Sequence, residues 1–511
     1  MDIEQKLQEA IVFHQSGQLQ RAEQIYQQVL QISPSNADAL NLLGFLAYQV
    51  GRCEVAANLI AKAIEVDSKQ YIFFINLGLV RQEQGELDKS IEAYHKAIEI
   101  NPNDARIYYN LGAAQKKQGK LDNAIQTYQQ AIEINPDDAE IYNSLGTTLQ
   151  KQEKLDQAIQ VYHRALEINP NYSEAYNNLG IALKEQGELD QAIQVYHRAL
   201  EINPNYSEAY NNLGNALKEQ GKLDDAVLAY RSALGINPDY SEAHNNLGLV
   251  LLLQGNFSSG WREYEWRLKC KELGFFLNKR DFPQVLWNGS DLNGKTILVW
   301  AEQGIGDEIM LASMLPTLLK MNSNIIVECD KRLVPLFQRS FPFIQFVPRE
   351  DPANPKLLDT TIDYQIPMGS LGQWLRADKD AFLPKQESYL QACPNRVGQL
   401  QEKYRSLAGD KLLVGISWKS TGIDKKRAQT KNAPLKHWTP ILSQKDCYFV
   451  NLQYGNIREE IEAYTTATGY PVYIDEEIDP LSDLDGFAAQ VSVLDLIIST
   501  SNATVHVAGG L

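Results

Sequence analysis

Long apolar runs are missing from this sequence. No stretch approaches the roughly 18 residues that a membrane-spanning helix needs, so no transmembrane segment is expected. Basic residues are outnumbered: 48 Lys and Arg against 64 Asp and Glu leave a net charge of −16. The densest basic cluster is Lys425, Lys426 and Arg427. Affinity for phosphate backbones comes from Lys and Arg, so this balance argues against a nucleic-acid partner. Cysteine is sparse and unpatterned. Cys53, Cys270, Cys329, Cys393 and Cys447 are scattered, odd in number and never in a Cys-x-x-Cys pair. That suits reduced thiols in a cytoplasm, with neither a disulfide framework nor a zinc site. The first residues, MDIEQKLQEA, are acidic and amphipathic without the basic-then-apolar order of a secretory signal, so a cytoplasmic location is expected. What is present, 44% hydrophobic and 22% charged residues over 511 positions, fits a folded soluble chain of about three domains.

The first half repeats itself. Gly44, Gly78, Gly112, Gly146, Gly180, Gly214 and Gly248 stand 34 residues apart, and so do Pro102, Pro136, Pro170, Pro204 and Pro238. Small residues at Ala124, Ala158 and Ala192 and tyrosines at Tyr94, Tyr128, Tyr162, Tyr196 and Tyr230 keep the same step. Each unit reads as two amphipathic helices with a glycine turn between them and a proline after the second. One unit cannot bury its apolar face alone, so stacking must make one core. The pattern resembles the tetratricopeptide repeat. Seven units are expected from about residue 3 to 240. An altered eighth, with Gly260, Trp261 and Trp266 in its second half, reads as a cap that also docks the next domain, which puts the solenoid at 1–270.

Asn76, Asn110, Asn178, Asn212 and Asn246 occupy one repeat position, two before the glycine, while Leu42 and Ser144 interrupt the row. In solenoids of this family that helix faces the concave side. A row of asparagines there can hydrogen-bond the backbone of an extended protein or peptide ligand, and a similar ladder occurs in O-GlcNAc transferases. Asparagine is also a common consensus choice at the position, and both readings stay open. Arrays of this kind often self-associate.

From Lys295 the period changes. TILVWAE, NIIVECD, IQFVPRE, DYQIPMGS, KLLVGISWKS, CYFVNLQYG, VYIDEE and LIISTS read as strands with helical patterns between them. Such alternation implies parallel βαβ units. FLPKQESYLQACPNR reads as a connector, which separates a first Rossmann-like lobe at 271–393 from a second at 394–511. Ligands of such sheets bind beyond the carboxyl ends of the strands.

QGIGDE follows the first of these strands. A dinucleotide fingerprint would need a small residue where Ile309 stands, and Asp307 would repel a pyrophosphate. No phosphate-binding Gly-x-x-x-x-Gly-Lys-Ser/Thr loop occurs anywhere. Asp307 is therefore either a helix N-cap or a general base presented at the strand end. Glu308 fits the same dipole argument.

Residues 257–511 resemble the glycosyltransferase domain of bacterial tetratricopeptide fusion proteins, which is similar to the ADP-heptose lipopolysaccharide heptosyltransferases (glycosyltransferase family 9-like). The matching segments are GWREYEWR, PQVLWNGSDLNGKTILVWAEQGIGDEIMLASMLP, VGISWKS, NAPLKHWTPIL, VNLQYG and DLIISTSNATVHVAGGL. The resemblance implies a GT-B pair of lobes and an inverting, metal-independent transfer from a nucleotide-sugar donor, which is a substrate and not a cofactor. It implies Asp307 as catalytic base and Lys431, Ser501, Asn502 and His506 as donor-side residues. Ser417, Thr504 and the helix start at Asn502 would complete the cradle for the leaving diphosphate. Lys431 also reads as a solvated loop lysine, and His506 as a core histidine. Ser501 stands where the family has an acid, and relatives continue past Leu511, so the second lobe is expected to be incomplete. The alternative is a non-catalytic scaffold whose α/β part is degenerate.

Overall fold

The computed structural model describes residues 3–270, 280–382, 388–420 and 432–511. The chain divides into two compact units, Met1–Pro238 and Asp239–Leu511. No helix among the described residues is long and apolar enough to cross a membrane.

The first unit is helical throughout. Seven helix pairs run from Ile3–Gln15 with Leu19–Ile32 to Ser207–Glu219 with Leu223–Ile236. The turn inside a pair needs a left-handed residue. Gly187 supplies it at φ 90°, and in the fifth pair, where no glycine stands, Glu153 adopts φ 62° in its place. Each repeat tyrosine is fully buried and lies on the glycine of its own first helix: a Cβ at Gly180 would stand 2.5 Å from the Tyr196 ring. The tyrosine thus fills the space between the two helices of one unit. Second helices end two residues before the proline, as Leu189–Ile202 does before Pro204.

The second unit begins with a helical hairpin, Ser241–Leu253 and Phe257–Tyr264, extended by a 3-10 turn, Glu265–Lys269. Its helices touch through two glycines. A Cβ on Gly248 would lie 2.6 Å from the Tyr264 nitrogen, and one on Gly260 would lie 2.8 Å from Leu252 Cγ. The Trp261 indole rests on Gly372 and donates its Nε1–H to the Arg376 carbonyl at 2.8 Å. The hairpin that the sequence period groups with the solenoid therefore packs as part of the α/β unit.

Two parallel sheets follow. The first holds β1 (Val285–Leu286), β2 (Thr296–Trp300), β3 (Asn324–Cys329), β4 (Gln345–Pro348) and β5 (Tyr364–Pro367), ordered β1-β5-β2-β3-β4. The second holds β6 (Leu412–Ser417), β7 (Cys447–Asn451) and β8 (Leu496–Ser499), ordered β7-β6-β8. All pairings are parallel, in line with the βαβ reading. One apolar cluster runs from Trp287, Val299 and Phe337 beside the first sheet to Leu484, Phe487 and Val507 from the segment carrying the second, so the two sheets share a core. VYIDEE forms only a bridge, Tyr473 to Val450, and the helix Pro394–Ala408 continues directly from the connector.

Candidate functional site

The chain leaves β2 at Trp300, turns through Ala301–Gly304 and enters the helix Ile305–Ala312. Gly304 is the N-cap, with φ −78° and ψ 166°, which places Asp307 third in the helix. Asp307 is thus not the cap, and neither Gly304 nor Gly306 adopts a left-handed backbone. The second glycine answers a different need. A Cβ on Gly306 would lie 3.1 Å from His506 Cδ2 and 3.5 Å from the Ala503 Cα. The N-terminal turns of Ile305–Ala312 and Ala503–Gly510 therefore meet, one beyond β2 and the other beyond β8. Asp307 is half-buried at this meeting, in the first turn where the helix dipole favours a carboxylate.

Glu308 points the other way. It is 2% exposed, pairs with Arg349 and accepts the Asp330 backbone N–H at 2.9 Å. Burial raises its carboxyl to about 7, against the opposing pull of Arg349 and the Asp330 amide. Beyond it, at the carboxyl ends of β3 and β4, opens a cleft of about 480 Å³ lined by Asp330, Lys331, Arg332, Arg349, Leu481 and Ser482.

A second buried pair was not foreseen. Arg267, 1% exposed, meets the fully buried Glu302 at 2.8 Å, and Gln303 donates to the Tyr264 hydroxyl at 2.8 Å. Their partners lie 35 and 39 residues away, a separation that carries no periodic signal.

Most of the described residues that the resemblance assigned to a donor are occupied by other partners. Ser417, fully buried at the end of β6, donates to Gln453 Oε1 at 3.1 Å and accepts from Asn502 Nδ2 at 2.7 Å. Asn502 caps Ala503–Gly510 by accepting the Thr504 N–H at 3.0 Å, and it also donates to the Lys419 carbonyl. Both residues, expected as donor ligands, tie β6 to the turn after β8. Thr504 is fully buried, and its hydroxyl has no partner. Ser501 is exposed on the turn, and His506 is half-buried. Lys431 lies outside the described residues. Trp418 and Trp438 are core side chains. Among the described residues no group of three or more His, Cys, Asp and Glu is placed to hold a metal ion.

In the repeats the asparagines link neighbours. Asn76 donates to Asn41, Asn178 to Asn143 and Asn212 to Asn177, at 2.9 to 3.0 Å. Each reaches back to the first helix of the preceding unit, so these amides are partly consumed as inter-repeat ties. At Asn110 the residue one step back is Ile75, which can accept nothing, and the Asn110 side chain makes no hydrogen bond. Asn246 is half-buried and lies in the second unit.

Residues 78–119, 116–153, 149–187, 182–221 and 214–255 match the family model of the TPR repeat, and residues 13–71 match that of the tetratricopeptide repeat. This part of the chain is a tetratricopeptide-repeat array. Protein FlbA of Caulobacter vibrioides is 34% identical over 266 residues, which covers 49% of this chain and 44% of that protein. The chain thus spans less than half the length of that relative. Two solved structures are similar to the array. YrrB, described as a TPR protein with an unusual peptide-binding site, is 27% identical over 37% of this chain and 96% of its own, with a TM-score of 0.31. MamA is 28% identical over 32% of this chain and 97% of its own, with a TM-score of 0.30.

Proposed function

We propose that the α/β unit is a GT-B-type glycosyltransferase that moves a sugar from a nucleotide donor to an acceptor hydroxyl, and that the tetratricopeptide array recruits the protein or glycan acceptor. The observation that carries this reading is the meeting of two helix N-termini, with Asp307 on one and His506 on the other, beyond the carboxyl ends of two parallel sheets. Asp307 is the base that takes the proton of the acceptor hydroxyl. The N-terminal N–H groups of Ala503–Gly510, with His506, face the charge that develops on the leaving diphosphate, and the resemblance adds Lys431 to them.

The test is release of nucleoside diphosphate, and transfer, across a panel of nucleotide sugars. Asp307→Asn is expected to slow turnover by at least ~100-fold, and an unchanged rate refutes the base. Truncating residues 1–140 is expected to weaken capture of a macromolecular acceptor while sparing donor hydrolysis.

A second reading, a protein-interaction platform without chemistry, is favoured by the occupied hydrogen bonds of Ser417 and Asn502. Absence of turnover with every donor, alongside retained partner capture, selects it.

A further inference from the structure

Glu302 is two residues beyond β2, and its fully buried carboxylate collects three donors: Arg267 Nη2 at 2.8 Å, the Gly369 amide at 3.1 Å and Gln303 Nε2 at 3.3 Å. Gly369 follows β5, the sheet neighbour of β2, so one carboxylate joins the ends of two adjacent strands. No side chain fits at 369, where a Cβ would lie 2.5 Å from Glu302 Oε1 and 2.9 Å from Arg267 Nη2. Arg267 arrives from a third element, the 3-10 turn Glu265–Lys269. Its Nη1 donates to Glu265 at 2.8 Å, and its Nη2 also donates to Ser370 Oγ at 2.9 Å. The Ser370 hydroxyl in turn donates to Glu265 at 2.9 Å, which closes the ring of bonds. The guanidinium stands 4.6 Å from the Tyr264 ring, and the hydroxyl of that ring receives Gln303 at 2.8 Å.

We propose that Arg267 is a positioning residue that fixes the turn Glu302–Gly304 and, through it, the placement of Asp307. The hairpin Ser241–Lys269 is then a working part of the α/β unit. The inference rests on the reading of Asp307 as base, but the order of the turn is measured independently of any turnover. A lysine keeps the charge and loses the planar fork that reaches Glu302, Ser370 and Glu265 together. Methionine at both 267 and 302 removes the buried charges as a pair, a replacement that generally preserves stability.

The experiment compares full-length wild type, Arg267→Lys and the double variant Arg267→Met/Glu302→Met by hydrogen exchange, thermal unfolding and donor turnover. Arg267→Lys is expected to melt below wild type, because buried partners lose hydrogen bonds, so exchange is read against the rest of the α/β unit. Exchange in peptides covering 301–309 should rise at least ~10-fold relative to the strand 412–417. With turnover present, kcat falls at least ~10-fold while donor KM changes less than ~2-fold, because the loss is one of geometry. Unchanged exchange at 301–309 in both variants overturns the proposal, and so does a rise shared equally by the whole α/β unit. If the wild type turns over no donor, the reading of Asp307 fails, and the exchange result alone decides the role of Arg267.

Discussion

A Cβ on Gly306 would stand 3.1 Å from Cδ2 of His506, so the residue before Asp307 is pressed against a ring carried by the other sheet's helix. Gly306→Ala tests what that closeness is for. The methyl is tighter than ordinary contact but meets a half-buried side chain that can turn aside. Alanine also favours the helix by about 1 kcal/mol over glycine. The two effects oppose, and stability is expected to stay within about 1 kcal/mol of wild type. The ring must give by a few tenths of an ångström, however, and if the proposed chemistry depends on its position, donor turnover should fall ~10-fold or more. Denaturant unfolding and turnover on the same preparation check this, and full activity in a stable Gly306→Ala protein would show that the contact is packing alone.

Much of the fold is legible because it is periodic. A 34-residue step returns Tyr196 and Gly180 to the environment of Tyr162 and Gly146, and β2 to β8 announce themselves as short aliphatic runs. The rest depends on contacts with no period. Val285–Leu286 is too short to register as a strand, and Pro394 looks like a break until it is seen as the first residue of a helix. The asparagine row is visible in the sequence, but its reach to Asn41, Asn143 and Asn177 is a property of stacking. Arg267 and Glu302 meet only because the hairpin docks on the sheet, and the hydroxyl of Ser417 meets Asn502 only because β6 and β8 are adjacent.

Two tyrosines in equivalent positions should respond oppositely to loss of a hydroxyl. Tyr162 donates to Gln150 Oε1 at 3.1 Å. In the next unit Lys184 replaces the glutamine, and the buried Tyr196 hydroxyl has no partner. Burial pushes both phenols well above their ordinary range. Tyr162→Phe is expected to cost about 1 kcal/mol, whereas Tyr196→Phe should be neutral or stabilising by about 1 kcal/mol. Helical unfolding of the full chain, followed by circular dichroism, reads the difference; equal losses from both substitutions would contradict it.

Glu308 gives the α/β unit a pH dependence of definite sign. Its folded carboxyl titrates near 7 and the ordinary one near 4.5, because burial outweighs the pull of Arg349. Between those values the unfolded chain loses its proton first, so the unfolded state binds fewer protons and stability falls as pH rises. Glu308→Gln removes the titration. The wild type should lose stability relative to that variant from pH 5 to pH 7.5, measured as the difference in unfolding midpoint of the second unit. A difference that is flat across this range, or that grows in favour of the wild type, would mean that Arg349 holds Glu308 ionised throughout.

The asparagine row separates structure from recognition at two positions. Asn178 donates to the buried Asn143 at 3.0 Å, and Asn178→Ala should cost about 1 kcal/mol because a buried acceptor loses its partner. Asn110 makes no side-chain hydrogen bond, its equivalent partner position being Ile75, and Asn110→Ala should leave stability within about 0.5 kcal/mol. An amide that is half-exposed and unspent is the one left for a ligand's backbone. Capture of an acceptor protein should therefore weaken up to ~10-fold in Asn110→Ala, the value of one hydrogen bond. Unfolding midpoints and binding isotherms on both variants decide the matter. Lost stability with unchanged capture at Asn110 would assign that amide to the scaffold, alongside Asn76, Asn178 and Asn212.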